Sequence, residues 1–402
     1  MNYKSIRMII GCLIITSCIS CSNTSNKVKN IDNQVYDSLL QKGIDRGFPG
    51  IILAIQKGNA KSWIGAAGLA NIEKQQSMLK NDRFHLASVT KIFTSVAILK
   101  LIDDGKLKID DKAITFLDSS LVNPIPFINE ITIGQLLDHS SGIYSFNNDM
   151  EYIETLIGEK AFDNVNWSTN QLLALAYGNR VEPQGKPGSG HYYADTNLIL
   201  QSLIIENISG VSFREFINER ILKPLKLEDT GFYSDRINNS RVELTSTVQG
   251  YLKRSKDLDE FITMHPSFIE VSPGIINTSI AGEKIDAGAG MVSTANDLLL
   301  FGEALYNGSL LSPESLNWLL SIGDGIENEE LNSKRQGIVS VRNKPYGVLF
   351  TSLGDGPGGM NTMLAYHPKT KSIVIAFTNI FGNFDEHDFF MDDLMPLILK
   401  EQ

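Results

Sequence analysis

Ser88 and Lys91 stand three residues apart in the sequence Ser88-Val89-Thr90-Lys91. On a helix, residues with this spacing lie on the same face, so the Ser88 hydroxyl and the Lys91 amine can reach hydrogen-bond distance. A hydroxyl becomes a good nucleophile when a neighbour takes its proton, and an amine can do this when burial lowers its pKa. The pair therefore indicates nucleophilic catalysis by Ser88, with Lys91 handling the proton.

A helix predicted from Ser88 to Leu107 would hold the two side chains. Its apolar residues recur every three or four positions and Gly105 acts as a stop signal, which is typical of a buried helix; the apolar set is Ile92, Val96, Leu99 and Ile102. The helix N-terminus would favour a developing alkoxide on Ser88. A Ser-x-x-Lys pattern alone is common, and a helix-capping serine with a solvent-facing lysine is the alternative.

The rest of the body alternates between strand-rich and helix-rich regions. Two apolar runs around the turn Lys57-Gly58-Asn59 predict a hairpin, and helical patterns dominate from Asp118 to Pro224. Strands return near the C-terminus, followed by an amphipathic helix kinked at Pro396; the segments are Gly347–Ser352, Asn361–Tyr366, Ser372–Thr378 and Phe384–Lys400. This order predicts an α+β fold with a helical domain inserted in its middle.

Several further motifs follow in order along the chain. They are Phe48-Pro49-Gly50, the stretch from Phe84 to Thr94, the stretch from Ile131 to Ile143, Tyr193-Ala194-Asp195-Thr196-Asn197, and the stretch from Ala289 to Leu298. Together they resemble the serine β-lactamase and penicillin-binding-protein superfamily, in particular its class C-like branch of β-lactamases, D-alanyl-D-alanine peptidases and esterases. The resemblance implies a β-lactamase/DD-peptidase-like fold, with an antiparallel sheet domain over 33–117 and 285–402 and a helical domain over 118–284.

The resemblance also implies roles for individual residues. Ser88 matches the acylated nucleophile and Lys91 its partner, while Tyr193 matches a tyrosine that acts as general base, its phenol acidified by nearby lysine charge. Tyr192 is the competing tyrosine, but the spacing of Tyr193 fits better. Asp195 stands where asparagine is usual, so it would form a changed substrate wall and could pair with Lys91.

The third family element departs from its usual form. Members carry Lys-Thr-Gly or His-x-Gly on a strand beside the nucleophile, whereas this chain places Leu353 or Asp355 in the cation position. Gly356 is the candidate oxyanion donor, together with the Ser88 N–H. Loss of the cation should weaken carboxylate-bearing substrates by roughly ten- to a hundredfold or more.

The resemblance and this departure together favour a serine hydrolase that transfers the acyl group of an ester or amide, with a small molecule or peptide as substrate. A D-alanyl-D-alanine carboxypeptidase or a β-lactamase is the alternative. A catalytically silent protein that binds peptidoglycan is the alternative from another class. No metal or organic cofactor is implied, and His139 is interpreted as a structural hydrogen-bonding residue.

The N-terminus resembles an export signal. Lys4 and Arg7 precede an apolar run too short to cross a bilayer, and Ile15-Thr16-Ser17-Cys18 resembles a bacterial lipobox, with Cys21 as the second candidate for lipidation. Residues 1–21 would form the lipoprotein signal and residues 22–32 a tether. We therefore expect an exported protein, anchored in the membrane by a lipid on the periplasmic side of a bacterial envelope.

Composition limits the remaining possibilities. The chain has 402 residues, with 36 Lys and Arg against 46 Asp and Glu, and the resulting net charge of -10 makes nucleic acid an unsuitable partner. All three cysteines lie in the first 21 residues, so the body can hold no disulfide and no thiol nucleophile. An acidic stretch near the C-terminus, with Asp392 and Asp393, is interpreted as a solvated face and not a metal site.

Overall fold

The computed structural model describes residues 33–156, 167–233, 247–255, 269–278, 287–321, 340–342, 348–355, 358–382 and 389–399. The helices, in chain order, are α1 Asn33–Asp45, α2 Thr90–Asp103, α3 Ser119–Val122, α4 Ile133–Leu137, α5 Met150–Leu156, α6 Thr169–Ala174, α7 Thr196–Ser209, α8 Phe213–Ile217, α9 Lys223–Leu225, α10 Ala295–Tyr306, α11 Pro313–Leu319 and α12 Met395–Leu399. Shorter turns of 3-10 helix cover Ala87–Val89, Ala113–Phe116 and Phe146–Asn148, and wider turns cover Asn218–Leu222 and Phe389–Leu394.

The strands are β1 Gly50–Lys57, β2 Trp63–Asn71, β3 Gln76–Ser77, β4 Phe84–His85, β5 Gly231–Phe232, β6 Tyr251–Lys253, β7 Ile269–Ser272, β8 Ile275–Asn277, β9 Met291–Ser293, β10 Ser340–Arg342, β11 Leu349–Gly354, β12 Asn361–His367, β13 Ser372–Thr378 and β14 Ile380–Phe381. Within the described residues they form a main sheet of seven strands in the order β10-β11-β12-β13-β1-β2-β3 and two smaller sheets.

The centre of the main sheet is buried on both faces. Every residue of β13 and the first six of β1 are buried, and side chains along a strand alternate between the two faces. The neighbouring strands of this sheet run antiparallel, with Ile52 opposite Phe377 and Leu53 opposite Ala376. Helix α1 packs on β1 and β2, and α10 packs on β12, β13 and β1, which covers the sheet with helices.

A small three-stranded sheet leads the chain to Ser88. Strand β9 pairs with both β4 and β5, so that Phe84 lies opposite Ser293 and His85 opposite Val292. Just after β4, the Leu86 N–H donates to the Met291 carbonyl at 2.8 Å. The residues before Ser88 are therefore held by strand pairing and not by a free loop.

The helices on the far side of α2 form a second packed region. Helix α7 packs against α2, α4 and α8, and its apolar residues Leu198, Leu200 and Ile204 are fully buried. Helix α4 begins at a capping box in which Thr132 and Gln135 satisfy each other's backbone N–H groups. This packing places the start of α7 beside the start of α2. The motif with Ser88 and Lys91 therefore meets the motif with Tyr193 and Asp195.

The α+β fold with an antiparallel sheet flanked by helices is confirmed. The predicted hairpin is β1 and β2, and the predicted C-terminal strands are β11, β12 and β13. Two details differ from the prediction. Helix α2 begins at Thr90, and Ser88 lies in the 3-10 turn before it. In the described part of the predicted last helix, the α-helix begins only at Met395. The division into a sheet domain and a helical domain stays a prediction.

The predicted signal, the tether, Cys18 and Cys21 lie outside the described residues. Among the helices that are described, none has the length and apolar character needed to cross a membrane.

Candidate active site

Ser88 lies in a tight turn whose backbone is strained. Ala87, the residue before it, has a φ of 44°, in the left-handed region that non-glycine residues rarely adopt. Such a conformation costs roughly 1 to 3 kcal/mol and persists only where the surroundings enforce it. Here the Leu86–Met291 hydrogen bond and the bond from the Val89 N–H to the Leu86 carbonyl enforce it on both sides.

The first turns of α2 are hydrogen-bonded to the start of β9 and to the segment just before it. The Thr90 hydroxyl accepts from the Met291 N–H at 3.2 Å, and the Thr94 hydroxyl donates to the Ala287 carbonyl at 2.7 Å. These bonds come from buried side chains, so they fix the helix start against the sheet that precedes Ser88.

Lys91 is buried, and all three of its ammonium protons are used. Its Nζ donates to Ser88 Oγ at 2.9 Å and to the Gly288 carbonyl at 3.0 Å, and it forms an ion pair with Asp195 Oδ1 at 2.7 Å. The side chain is only 1% exposed. Each proton thus has a fixed acceptor in the described residues.

The pKa of Lys91 moves in the opposite direction from the sequence-based expectation. Burial acts to lower the pKa, but the Asp195 carboxylate, with a smaller contribution from Tyr193, outweighs it and raises the pKa above its ordinary value. Lys91 is therefore an ammonium ion at neutral pH. It polarises and orients Ser88 Oγ, and it is not a free base in this state.

Asp195 lies at the start of α7 and is tied to the turn around Ser145. Its carboxylate accepts from Asn147 Nδ2 at 2.5 Å as well as from Lys91, and its backbone N–H donates to Ser145 Oγ at 2.9 Å. Ser145 in turn donates to the Asn147 side chain. Asp195 is buried at 5% exposure, so this network compensates the removal of its charge from water.

Tyr193 brings its hydroxyl to Ser88. Its Oη lies 3.0 Å from Ser88 Oγ, while Tyr192 bonds instead to Ser189 at 3.2 Å. The residue is 38% exposed, but its hydroxyl is desolvated by the groups around it, and this raises the pKa of Tyr193 by more than the charge of Lys91 lowers it, while Asp195 adds to the rise. The resemblance implied an acidified phenol, whereas here the carboxylate at position 195 neutralises the lysine that would acidify it.

His139 supports Tyr193 from behind. It is fully buried with a φ of 54°, and its Nδ1 accepts from the Ala194 N–H at 3.0 Å and from Asn197 Nδ2 at 3.2 Å. Two donors at Nδ1 place the ring proton on Nε2. Burial first, then the charges of Lys91 and His191, lower the pKa of His139 well below its usual range, so the ring is neutral.

The end of β11 closes the site on the other side of Ser88. A Cβ atom on Gly354 would come within 2.1 Å of the Leu86 carbonyl oxygen and 3.1 Å of the Ser88 nitrogen, so only glycine fits there. Gly354 was not among the predicted site residues, although a glycine two residues after a predicted strand that ends at Ser352 was the signal available. Leu353, which is 40% exposed, is apolar, and Asp355, which follows Gly354, is acidic. Neither candidate for the cation position therefore supplies a cation. Gly356 lies outside the described residues.

The other candidates do not join this site. Asp393 pairs with Lys42 at 2.5 Å and with Arg46 at 2.5 Å, which ties the C-terminal region to α1. Within the described ranges, no cluster of three His, Cys, Asp or Glu residues could hold a metal ion. Residues 385–388 of the acidic stretch lie outside those ranges.

A sheet flanked by helices, with a serine, a lysine and a tyrosine joined where α2 and α7 begin, defines the class of β-lactamase-like and penicillin-binding-protein-like folds. The sequence model of one family, described as Beta-lactamase, matches residues 34–392. The chain belongs to this β-lactamase family.

Individual proteins and a solved structure are also similar to this chain. Penicillin-binding protein 4* of Bacillus subtilis (strain 168) is 25% identical over 350 residues, which are 87% of this chain and 71% of that protein. Protein flp of Staphylococcus aureus (strain MW2) is 28% identical over 226 residues, 56% of this chain, and the match spans less than half of that relative, 43%. The crystal structure of a D-stereospecific amidohydrolase from Streptomyces sp. is similar with a TM-score of 0.73 at 25% identity, covering 91% of this chain and 99% of that one.

Proposed function

We propose that the protein is a serine hydrolase that transfers the acyl group of an ester or amide to Ser88 and then to water. The observation that carries this proposal is the double hydrogen bond at Ser88 Oγ, 2.9 Å from Lys91 Nζ and 3.0 Å from Tyr193 Oη. A nucleophile held between a cation and a second hydroxyl is arranged for proton transfer.

The charge states suggest how acylation proceeds. Lys91 donates to Ser88 Oγ, which leaves the serine proton free to point at Tyr193 Oη. As Ser88 Oγ bonds to the substrate carbonyl carbon, its proton passes to Tyr193, and the phenol proton passes to the leaving oxygen or nitrogen, whose bond to carbon breaks. Lys91 remains an ammonium ion throughout, and its positive charge stabilises the negative charge that develops on Oγ.

Deacylation uses the same groups in reverse. Water attacks the acyl carbon and gives a proton to Tyr193 Oη, while Tyr193 returns its own proton to Ser88 Oγ as the acyl bond breaks. The Ser88 N–H is one donor available to the carbonyl oxygen, and the backbone beside Gly354 is the nearest strand edge for a second. A tyrosine with a raised pKa suits this relay, because it stays protonated between steps.

Esters and amides without a carboxylate fit the site better than β-lactams. The positions that could have held the family's cation carry Leu353 and Asp355, so a substrate carboxylate gains no ion pair there. The similarity to a D-stereospecific amidohydrolase supports an amide substrate. The similarity to penicillin-binding protein 4* keeps a carboxypeptidase or β-lactamase as the second candidate.

Export and lipid anchoring complete the proposal. Their support is the N-terminal sequence, with Cys18 or Cys21 as the lipidated residue and the periplasmic side of the envelope as the location. Mass spectrometry of the processed protein from the membrane fraction of cells that express the full sequence, compared with Cys18→Ala and Cys21→Ala, identifies the acylated cysteine. A full-length, unacylated chain in the soluble fraction would contradict the anchor.

The catalytic proposal is tested by the intact mass of the folded body after incubation with a fluorophosphonate, a penicillin or an activated ester. We expect an adduct in the wild type and in Ser38→Ala, a control for an exposed serine on α1, and none in Ser88→Ala. Multiple turnover of the ester would separate a hydrolase from a receptor that stays acylated. If folded protein forms no adduct with any probe, the silent binding protein becomes the better interpretation.

A further inference from the structure

The end of β11 lies close to the turn that carries Ser88. Gly354 is the last residue of β11, and its Cα must lie close to the turn that carries Ser88, because even a methyl group there would meet Leu86 and approach the Ser88 nitrogen. Asp355 is the next residue, so its carboxylate is attached within one residue of this contact. The backbone of Asp355 therefore lies next to the turn that carries Ser88.

The charges of Lys91 and Asp195 balance each other. The Lys91 ammonium and the Asp195 carboxylate are paired at 2.7 Å, and both are buried. Asp355 adds a further negative charge, and its side chain is exposed. Among the described residues, no lysine, arginine or histidine forms an ion pair with Asp355. The charges of Lys91, Asp195 and Asp355 therefore sum to a net negative charge.

Asp355 is within electrostatic reach of the catalytic centre. Although the residue is exposed as a whole, protein atoms around its carboxyl group partly desolvate that group and raise its pKa, and the charge of Lys91 acts to lower it. The close approach of Gly354 to the turn that carries Ser88 likewise places the next residue, Asp355, near the catalytic groups. Because that lysine is paired with Asp195, it neither neutralises Asp355 nor offers a free charge to a substrate carboxylate.

We infer that Asp355 is a specificity-determining residue that selects substrates carrying a positive charge close to the scissile bond and disfavours substrates carrying a carboxylate there. This inference rests on the proposed function and names the substrate class for the same site. A carboxylate that has no cationic partner among the described residues attracts an ammonium group and repels an anion, and repulsion of the wrong substrate is a common source of specificity.

Two matched substrate sets test the inference and distinguish the two sides of the scissile bond. For the leaving-group side, the set is butyrylthiocholine, its neutral isostere S-(3,3-dimethylbutyl) thiobutyrate and the anionic S-butyryl-3-mercaptopropionate. Hydrolysis of these thioesters is measured by the release of the thiol. For the acyl side, D- and L-phenylalanine p-nitroanilide are compared with neutral 3-phenylpropanoyl p-nitroanilide. The readout is kcat/KM for each substrate at low and high salt.

We expect kcat/KM to favour the cation over the neutral isostere in at least one set, by about tenfold. Asp355→Asn should remove most of that preference, Asp355→Lys should reverse it towards the anion, and salt should weaken it in the wild type. Asp37→Asn, which removes an exposed carboxylate on α1, is the matched control and should leave every ratio unchanged.

Fluorophosphonate labelling of Ser88 is measured in each variant, so that failure of the inference and failure of the proposed function can be told apart. If Ser88 is labelled at the wild-type rate but Asp355→Asn leaves both substrate ratios unchanged, the inference is overturned and the hydrolase proposal stands. If Ser88 is not labelled in the folded wild type, both are overturned.

Discussion

The imidazole ring of His139 lies face to face with the phenol ring of Tyr193, with ring centroids 4.6 Å apart and planes inclined by 15°. The same imidazole accepts a hydrogen bond from the backbone of Ala194, the residue that follows Tyr193. One side chain therefore fixes both the ring and the backbone of the residue that reaches Ser88 Oγ. We interpret His139 as a positioning residue, since its own hydrogen bonds go to Ala194 and Asn197.

Two substitutions separate these contributions of His139. His139→Asn retains a hydrogen-bond acceptor and tolerates the left-handed backbone but removes the stacked ring, so kcat should fall by about ten- to a hundredfold with little change in KM. His139→Phe retains the ring but leaves two buried donors without an acceptor, which should lower the free energy of unfolding by about 1 to 3 kcal/mol. Steady-state kinetics and urea unfolding measure the two effects. Equal loss of activity and stability in both variants would contradict the positioning role.

Asp195→Asn should change the pH dependence of catalysis. In the wild type, Asp195 keeps Lys91 protonated, so this lysine does not titrate below its ordinary range. Without the carboxylate, burial dominates and lowers the pKa of Lys91, and the profile of kcat/KM against pH should gain an ionisation at a pH below about 10. Asp149→Asn, which breaks an ion pair with Arg180 instead, is the control. A profile identical to the wild type in Asp195→Asn would show that the pair does not set the charge of Lys91.

Gly354→Ala should disable the site through backbone displacement. The added Cβ cannot remain 2.1 Å from the Leu86 carbonyl oxygen, so either β11 or the turn carrying Ser88 must move. We expect the fluorophosphonate labelling rate of Ser88 to fall by about a hundredfold, with a loss of stability of about 1 to 3 kcal/mol. Gly302→Ala is the control, because its Cβ would meet only flexible side-chain atoms at 3.2 Å or more. Unchanged labelling in Gly354→Ala would disprove the close approach.

His85 should make the protein less stable in mild acid. Burial lowers the pKa of His85 to about 4, so the folded state keeps the ring neutral while the unfolded chain, with a pKa of about 6.5, binds a proton. Between these values the unfolded state holds more protons, so stability falls as the pH falls, by about 2.5 kcal/mol from this residue at about pH 4.5. His85→Phe keeps the ring contact with Tyr233, 4.5 Å between centroids, and removes the titration. Urea unfolding should therefore depend less on pH in the variant, and equal slopes would refute the assignment.

Much of the fold could be predicted because it depends on local patterns. Alternation and turn residues located β1 and β2, and apolar spacing located α2 to within two residues of its start. The 3-10 turn at Ser88 was not predictable, because it is imposed by strand pairing between β4 and β9 and by the hydrogen bond from Leu86 to Met291. No feature of Ala87 itself indicates a left-handed conformation.

The amino-acid order was enough to establish the class of fold and to single out Ser88, Lys91, Tyr193 and Asp195, because motif spacing is a property of the chain itself. The charge of Lys91, the raised pKa of Tyr193 and the close fit of Gly354 could not be obtained in this way. Each depends on distances of a few ångströms between segments far apart in the chain, and on how much water the packed helices exclude. Only the folded arrangement sets those distances, and they decide whether Lys91 acts as a base or as a fixed positive charge.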